Sequence, residues 1–179
     1  MKILKGLLFV IFGVVALVLI AAAVVKKDYS VEREVTVNLP KAEVFDYVKY
    51  LKNQDKYSTW QLMDPDMKKE FKGTDGTVGF VATWDSDHPE VGRGEQEIIK
   101  ITEGERIDFE LRFFEPFEAT EPAYMITEAV SPTETKVKWG FHGHMDYPMN
   151  LMIPLMNMEE MIGNDLEKGL TNLKGVLEQ

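Results

Sequence analysis

Residues 29–48 read YSVEREVTVNL, then Pro40, then KAEVFDYV, and this strand–proline–helix passage governs the reading of the rest of the chain. Val31, Arg33, Val35, Val37 and Leu39 alternate with Glu32, Glu34 and Thr36. That is the period-two pattern of a strand with one buried side. Asn38-Leu39-Pro40 ends it, and a proline with its fixed φ suits the opening of a helix. From Lys41 to Leu51, Ala42, Phe45, Val48 and Leu51 recur every third position, the inner stripe of an amphipathic helix. Asn53–Pro65 is polar and punctuated, which predicts a short second helix and a loop carrying Trp60.

Downstream the period changes to alternation. Strands are predicted at 67–72, 78–84, 94–101, 106–114, 123–130 and 135–145. Turn residues separate them: Gly73-Thr74-Asp75-Gly76, Asp85 to Gly92, Glu103-Gly104-Glu105, Pro116 and Ser131-Pro132-Thr133. Short connections between consecutive strands predict an antiparallel meander. The chain then returns to helix: Leu155, Met158, Ile162, Leu166, Leu170, Leu173 and Leu177 fall three or four apart. An antiparallel sheet with one apolar face must cover it, and this long C-terminal helix is the element large enough to do so. The expected class is α+β, with a curved antiparallel sheet around the last helix and a cleft between them.

Upstream, Gly6–Val25 is a run of twenty uncharged residues flanked by Lys2 and Lys5 on one side and Lys26 and Lys27 on the other. As a helix it would be about 30 Å long, matching a bilayer hydrocarbon core. A cleaved signal and a buried core helix compete with a single-pass anchor. The run exceeds the roughly 7–15 apolar residues of a signal peptide, and paired lysines at its end argue against a soluble core. The chain accordingly divides into an anchor with its flanks (1–27) and a folded domain (28–179). Lysines balance on both flanks, so the side of the membrane is not readable.

Composition sets outer bounds. The chain has 179 residues, no Cys and a formal charge of −10. Without the first 25 residues, 18 basic and 30 acidic side chains remain, so the rest carries −12. This acidity argues against nucleic acid as a partner. The absence of Cys excludes disulfides, thiolate metal sites and Cys nucleophiles.

Several blocks together resemble the START-like superfamily known as SRPBCC, in its polyketide cyclase/dehydrase branch with an N-terminal membrane segment. They are the 29–48 passage, the Trp60 loop with Asp64-Pro65-Asp66-Met67, Val78-Gly79 leading to Trp84, Val91-Gly92-Arg93-Gly94-Glu95, and Met161–Leu170. The resemblance covers essentially the whole chain. It implies a helix-grip fold with a hydrophobic cavity, but not one activity, because similar domains carry lipids, bind hormones, cyclise polyketides or activate chaperones.

Strand parity groups Phe80 with Trp84, Phe109 with Phe113, and Trp139 with Phe141. With Trp60, Met125, Met158 and Ile162 they form the expected ligand-binding wall, each one weighed against ordinary core packing. Glu95 and Glu97 share a strand face and are the candidate catalytic acids if that face turns inward. His142 and His144 share a face with Lys136 and Lys138, which suggests solvent, and no further ligands complete a zinc site. No metal or cofactor is expected. Tyr147–Pro154 reads as a cap over a cleft mouth, a surface facing the bilayer, or a plain helix lead-in. The expected function is a membrane-tethered domain, held through residues 6–25, that binds a small hydrophobic or lipid-like ligand. A cyclase or dehydratase using a cleft acid, and a chaperone- or stress-related interaction module, are the alternatives.

Overall fold

The computed structural model describes residues 2–179. Helix α1 (Lys2–Val24) is followed after three residues by strand β1 (Asp28–Val37). Next come α2 (Lys41–Val48), a 3-10 segment (Leu51–Lys56) and the short α3 (Thr59–Met63). Strands β2 (Lys68–Lys72), β3 (Val81–Asp85), β4 (Arg93–Thr102), β5 (Arg106–Glu115), β6 (Ala119–Ser131) and β7 (Glu134–His144) then run consecutively. A second 3-10 segment (Met149–Leu151) leads through α4 (Met152–Leu155) into α5 (Met158–Leu177).

The strands form a single seven-stranded antiparallel sheet in the order β1-β7-β6-β5-β4-β3-β2. It is a helix-grip fold: α5 runs along β1 and β7, while α2 packs on β6 and β7. Lys174 Nζ donates to the Thr36 carbonyl (2.8 Å) and the Asn38 N–H donates to Glu178 (2.6 Å). These bonds fix the end of α5 at the end of β1. Its N-terminal half lies over the middle of the same strand, where a side chain at Gly163 would run into the Arg33 guanidinium.

Two local departures from the expected pattern have clear physical causes. In β4 the pairing with β5 skips Ile99, a bulge that leaves this isoleucine exposed and turns Ile101 back toward Ile107. Near the C-terminus the apolar period continues through Leu155, but Asn157 adopts φ 50° and breaks the helix there. Leu155 therefore stands 75% exposed, outside the core that its spacing predicts. Strand β6 also starts at Ala119, four residues earlier than expected.

The core closes at one end only. Leu166, Leu170 and Leu173 of α5 are buried with Val37, Val44, Val48 and Val137. Toward the start of α5, Met158 and Ile162 are half-buried, and so are Phe141, Leu111, Phe113 and Trp84 on the sheet.

At this less covered end the chain joins α1. That helix is long and apolar enough to cross a membrane over Leu4–Val24, and nearly all of it lies outside the packed core. Its last turn is fixed to the domain. The buried Asn150 side-chain amide donates to the carbonyls of Ala22 (2.8 Å) and Val25 (2.9 Å), and Ala22 itself is 1% exposed. Carbonyls at a helix C-terminus have no partner within the helix, so Asn150 supplies one from another segment. The Met145 N–H donates to the Lys27 carbonyl (2.9 Å), and Lys27 pairs with Asp146 (3.1 Å).

Truncation of Leu170 to Ala removes a core side chain that has little room to be replaced. Urea unfolding of Leu170→Ala is expected to lose about 2–5 kcal/mol. Leu155→Ala is expected to stay within about 0.5 kcal/mol of the parent, as for an exposed position; equal losses would contradict this account of the core.

Candidate functional site

Register defines the concave face row by row. One row runs Val31, Phe141, Ala123, Phe109, Ile98 across β1, β7, β6, β5 and β4. A row below holds Arg33, Trp139, Met125 and Ile107. Above lie Tyr29, Gly143, Glu121, Leu111, Gln96, Ala82 and Phe71, and beyond them Ala119, Phe113, Gly94, Trp84 and Lys69.

Each expected ligand-wall residue on a strand therefore points to the concave side. Phe109 and Met125 are fully buried, and Trp139 is nearly so. Trp139 meets Tyr57 and Trp60 edge-on at 5.8 and 6.2 Å. Trp84 meets Phe113 edge-on at 6.0 Å. Phe80 precedes β3, yet it is buried, stacks on Phe71 at 6.0 Å and accepts from the Ile98 N–H at 3.0 Å. Met158 and Ile162 face the same space from α5.

A small, partly open void of about 20 Å³ lies between the first 3-10 segment, α3 and strands β2–β4. It holds about one water and no organic molecule. Gln54 Nε2 and Gln61 Oε1, both buried without a protein partner, belong to residues lining it. At the other end of the grip Trp84, Leu111, Phe113 and Phe141 stay half-buried on the concave face.

Glu95 and Glu97 point to the convex side. Both bind Arg112, at 2.6 and 2.8 Å, and Glu110 completes the cluster. Hydrogen bonding, with Glu97 foremost, makes the Arg112 guanidinium hold its proton more tightly than usual. Glu95, Glu97 and Arg112 line a shallow polar groove of about 370 Å³ on the far side of the sheet from α5.

The carboxylate on the concave face is Glu121. It is 7% exposed and accepts the His144 N–H at 2.9 Å. Burial pushes its carboxyl above the ordinary range, partly offset by that N–H. Tyr29, in the same row, lies across Gly143, where a side chain would strike its ring. Burial, with the Glu121 charge adding to it, raises the Tyr29 hydroxyl to about 12. The sequence pattern predicts a strand from Ala123 to Val130, which does not include Glu121. Extending the alternation Met125, Ala123, Glu121 by one step would have turned it inward.

His142 and His144 are exposed. His144 Nδ1 lies 2.6 Å from Asp28 and Nε2 lies 3.5 Å from Asp146, and these partners, Asp28 first, raise its pKa. Among the described residues no group of three His, Asp or Glu side chains is arranged to hold a metal.

A curved sheet gripping one long helix, with an aromatic concave face, defines a START-like domain. Residues 28–178 match the family described as polyketide cyclase / dehydrase and lipid transport, and the chain belongs to it. No curated protein matches the sequence. Among solved structures, a protein from Thermobifida fusca is similar at TM-score 0.61 and 16% identity, covering 84% of this chain and 95% of its own. A START superfamily protein from Mycobacterium smegmatis gives 0.59 and 15%, covering 84% and 97%. The Aha1 dimer from Colwellia psychrerythraea gives 0.53 and 12%, covering 84% and 96%. At these identities the likeness is one of fold.

The buried acid has a pH signature. A carboxyl with a folded pKa above the unfolded value of about 4.3 favours folding in its protonated form. That contribution is complete below the unfolded value and disappears as pH rises through the folded one. Glu121→Gln keeps an oxygen for the His144 N–H and removes the charge. Its urea midpoint is expected to exceed the parent's at pH 8, with the difference closing toward pH 4. A variant less stable than the parent at pH 8 would refute the assignment.

Proposed function

We propose that the chain is a membrane-tethered START-like domain that takes a small hydrophobic or lipid-like ligand into the half-covered end of its grip. Residues 1–27 serve as anchor and flanks, and residues 28–179 as the binding domain. The observation that carries this reading is the uneven closure of the core. Leucines of α5 seal one end, whereas Trp84, Leu111, Phe113, Phe141, Met158 and Ile162 stay half-buried at the other. Large apolar side chains on an inward face gain about 25 cal/mol per Å² when covered, so a fitting apolar guest completes what the chain leaves uncovered. Trp60, Phe80, Phe109, Met125 and Trp139 form the packed floor.

A second reading rests on Glu121. A carboxyl whose pKa is raised by burial, beside an apolar cleft, is suited to exchange a proton with a bound substrate. On this reading it replaces Glu95 and Glu97 as the acid of a cyclase- or dehydratase-type reaction.

The test uses the full chain in detergent with a fluorescent fatty acid as probe. Saturable one-to-one binding is expected, displaced by an organic extract of the purified protein. Leu111→Trp, which fills the uncovered end, is expected to weaken probe binding at least about tenfold, the equivalent of about 1.4 kcal/mol. Absence of saturable binding by the parent, or undiminished binding by a folded variant, would remove the ligand reading. Glu121→Gln separates the two readings: unchanged probe affinity is expected for a binding domain.

A further inference from the structure

The segment that joins the last strand to α5 is unusually apolar for a surface. Tyr147 is 45% exposed, Met149 53%, Leu155 75% and Met156 49%. Asn150 lies within it, buried and bonded to Ala22 and Val25. Those two residues belong to the last turn and immediate exit of the apolar run Gly6–Val25. A hydrogen bond of 2.8 Å to the Ala22 carbonyl allows Asn150 no independent depth. If α1 spans a bilayer, Ala22 sits at the hydrocarbon boundary, and Asn150 sits there with it.

We infer that the 147–156 segment is a membrane-seated collar. Tyr147, Met149, Leu155 and Met156 enter the interfacial layer of the bilayer beside α1, and the half-covered end of the grip is held against the lipid surface. This rests on the tethered reading above and extends it from attachment to orientation. A tyrosine at the headgroup level and flexible methionines below it suit that layer. The nearby carboxylates of Asp28, Asp146, Glu159 and Glu160 are exposed and belong to the aqueous side, so the contact is apolar rather than electrostatic.

Because the chain lacks cysteine, single nitroxide labels can be introduced without background. The full chain is reconstituted in phosphatidylcholine nanodiscs, with labels at Met149→Cys, Leu155→Cys, Val14→Cys in α1, and Val130→Cys at the far end of the domain. Relative accessibility to oxygen and to a water-soluble nickel complex gives the depth of each label. The expected result is a deep label at 14, an aqueous label at 130, and labels at 149 and 155 shifted from the aqueous value toward that at 14. Aqueous values at 149 and 155 with a deep label at 14 overturn the collar while leaving the tether in place. An aqueous label at 14 defeats both. Dipolar broadening between chains at 155, without oxygen access, assigns the surface to a second copy and likewise overturns the collar. Asn150→Ala, checked for folding by near-ultraviolet circular dichroism, is expected to lose the shift at 149 and 155 while 14 remains deep. An unchanged shift would show that Asn150 does not set the depth.

Discussion

The domain depends on how closely α5 approaches the sheet. Trp139 rises from the middle of β7, and the helix passes over it at Gly169, where an added Cβ would lie 2.8 Å from the indole ring. A helix that near its sheet seals the leucines behind it. The same approach sets the position of the first turns of α5, because a helix of 20 residues is stiff over its length. Seated hard at Trp139 and tied to β1 by Lys174 and Glu178, α5 leaves its beginning over Arg33 and Phe141, where cover is thinner. The uneven grip is thus a geometric result of one tight contact. Double glycine relief, at Gly163 for Arg33 and at Gly169 for Trp139, makes the contact available.

Much of this is legible in the sequence itself. Period two in residues 29–39 and period 3.6 beyond Met158 specify one strand and one helix, and short turns leave the six later strands little choice but a meander. What period alone could not deliver was anything set by a single residue out of pattern. Ile99 looks like one more strand position until the ladder skips it. Asn157 is one polar residue in a helical run, yet its left-handed backbone cuts the run in two. Glu121 lies two residues before a strand boundary, and boundaries are the least determined part of such a reading. The aromatic wall was accessible because parity is robust; the buried acid was missed because one boundary was not.

The acids divide the two faces of the sheet by role. On the convex side Arg112 gathers three carboxylates in a partly exposed cluster, an arrangement that satisfies charge without asking anything of a ligand. On the concave side a single carboxylate holds one backbone N–H from the neighbouring strand. Burial works against charge there, and Tyr29 beside it is affected in the same sense. The two sets of acids differ less by residue type than by partner: the convex ones share Arg112, whereas Glu121 has the His144 N–H and the charge of the same histidine.

The passage from α1 to β1 contains only Val25, Lys26 and Lys27. Three extended residues reach about 10 Å, and the Lys27 carbonyl is already committed to Met145. On the tethered reading the domain has no leash. It cannot swing outward to meet a soluble acceptor, nor turn its open end away from the surface it stands on. Delivery to a distant compartment would require the partner to come down to the membrane. On that reading any exchange it makes is lateral, with whatever shares its plane.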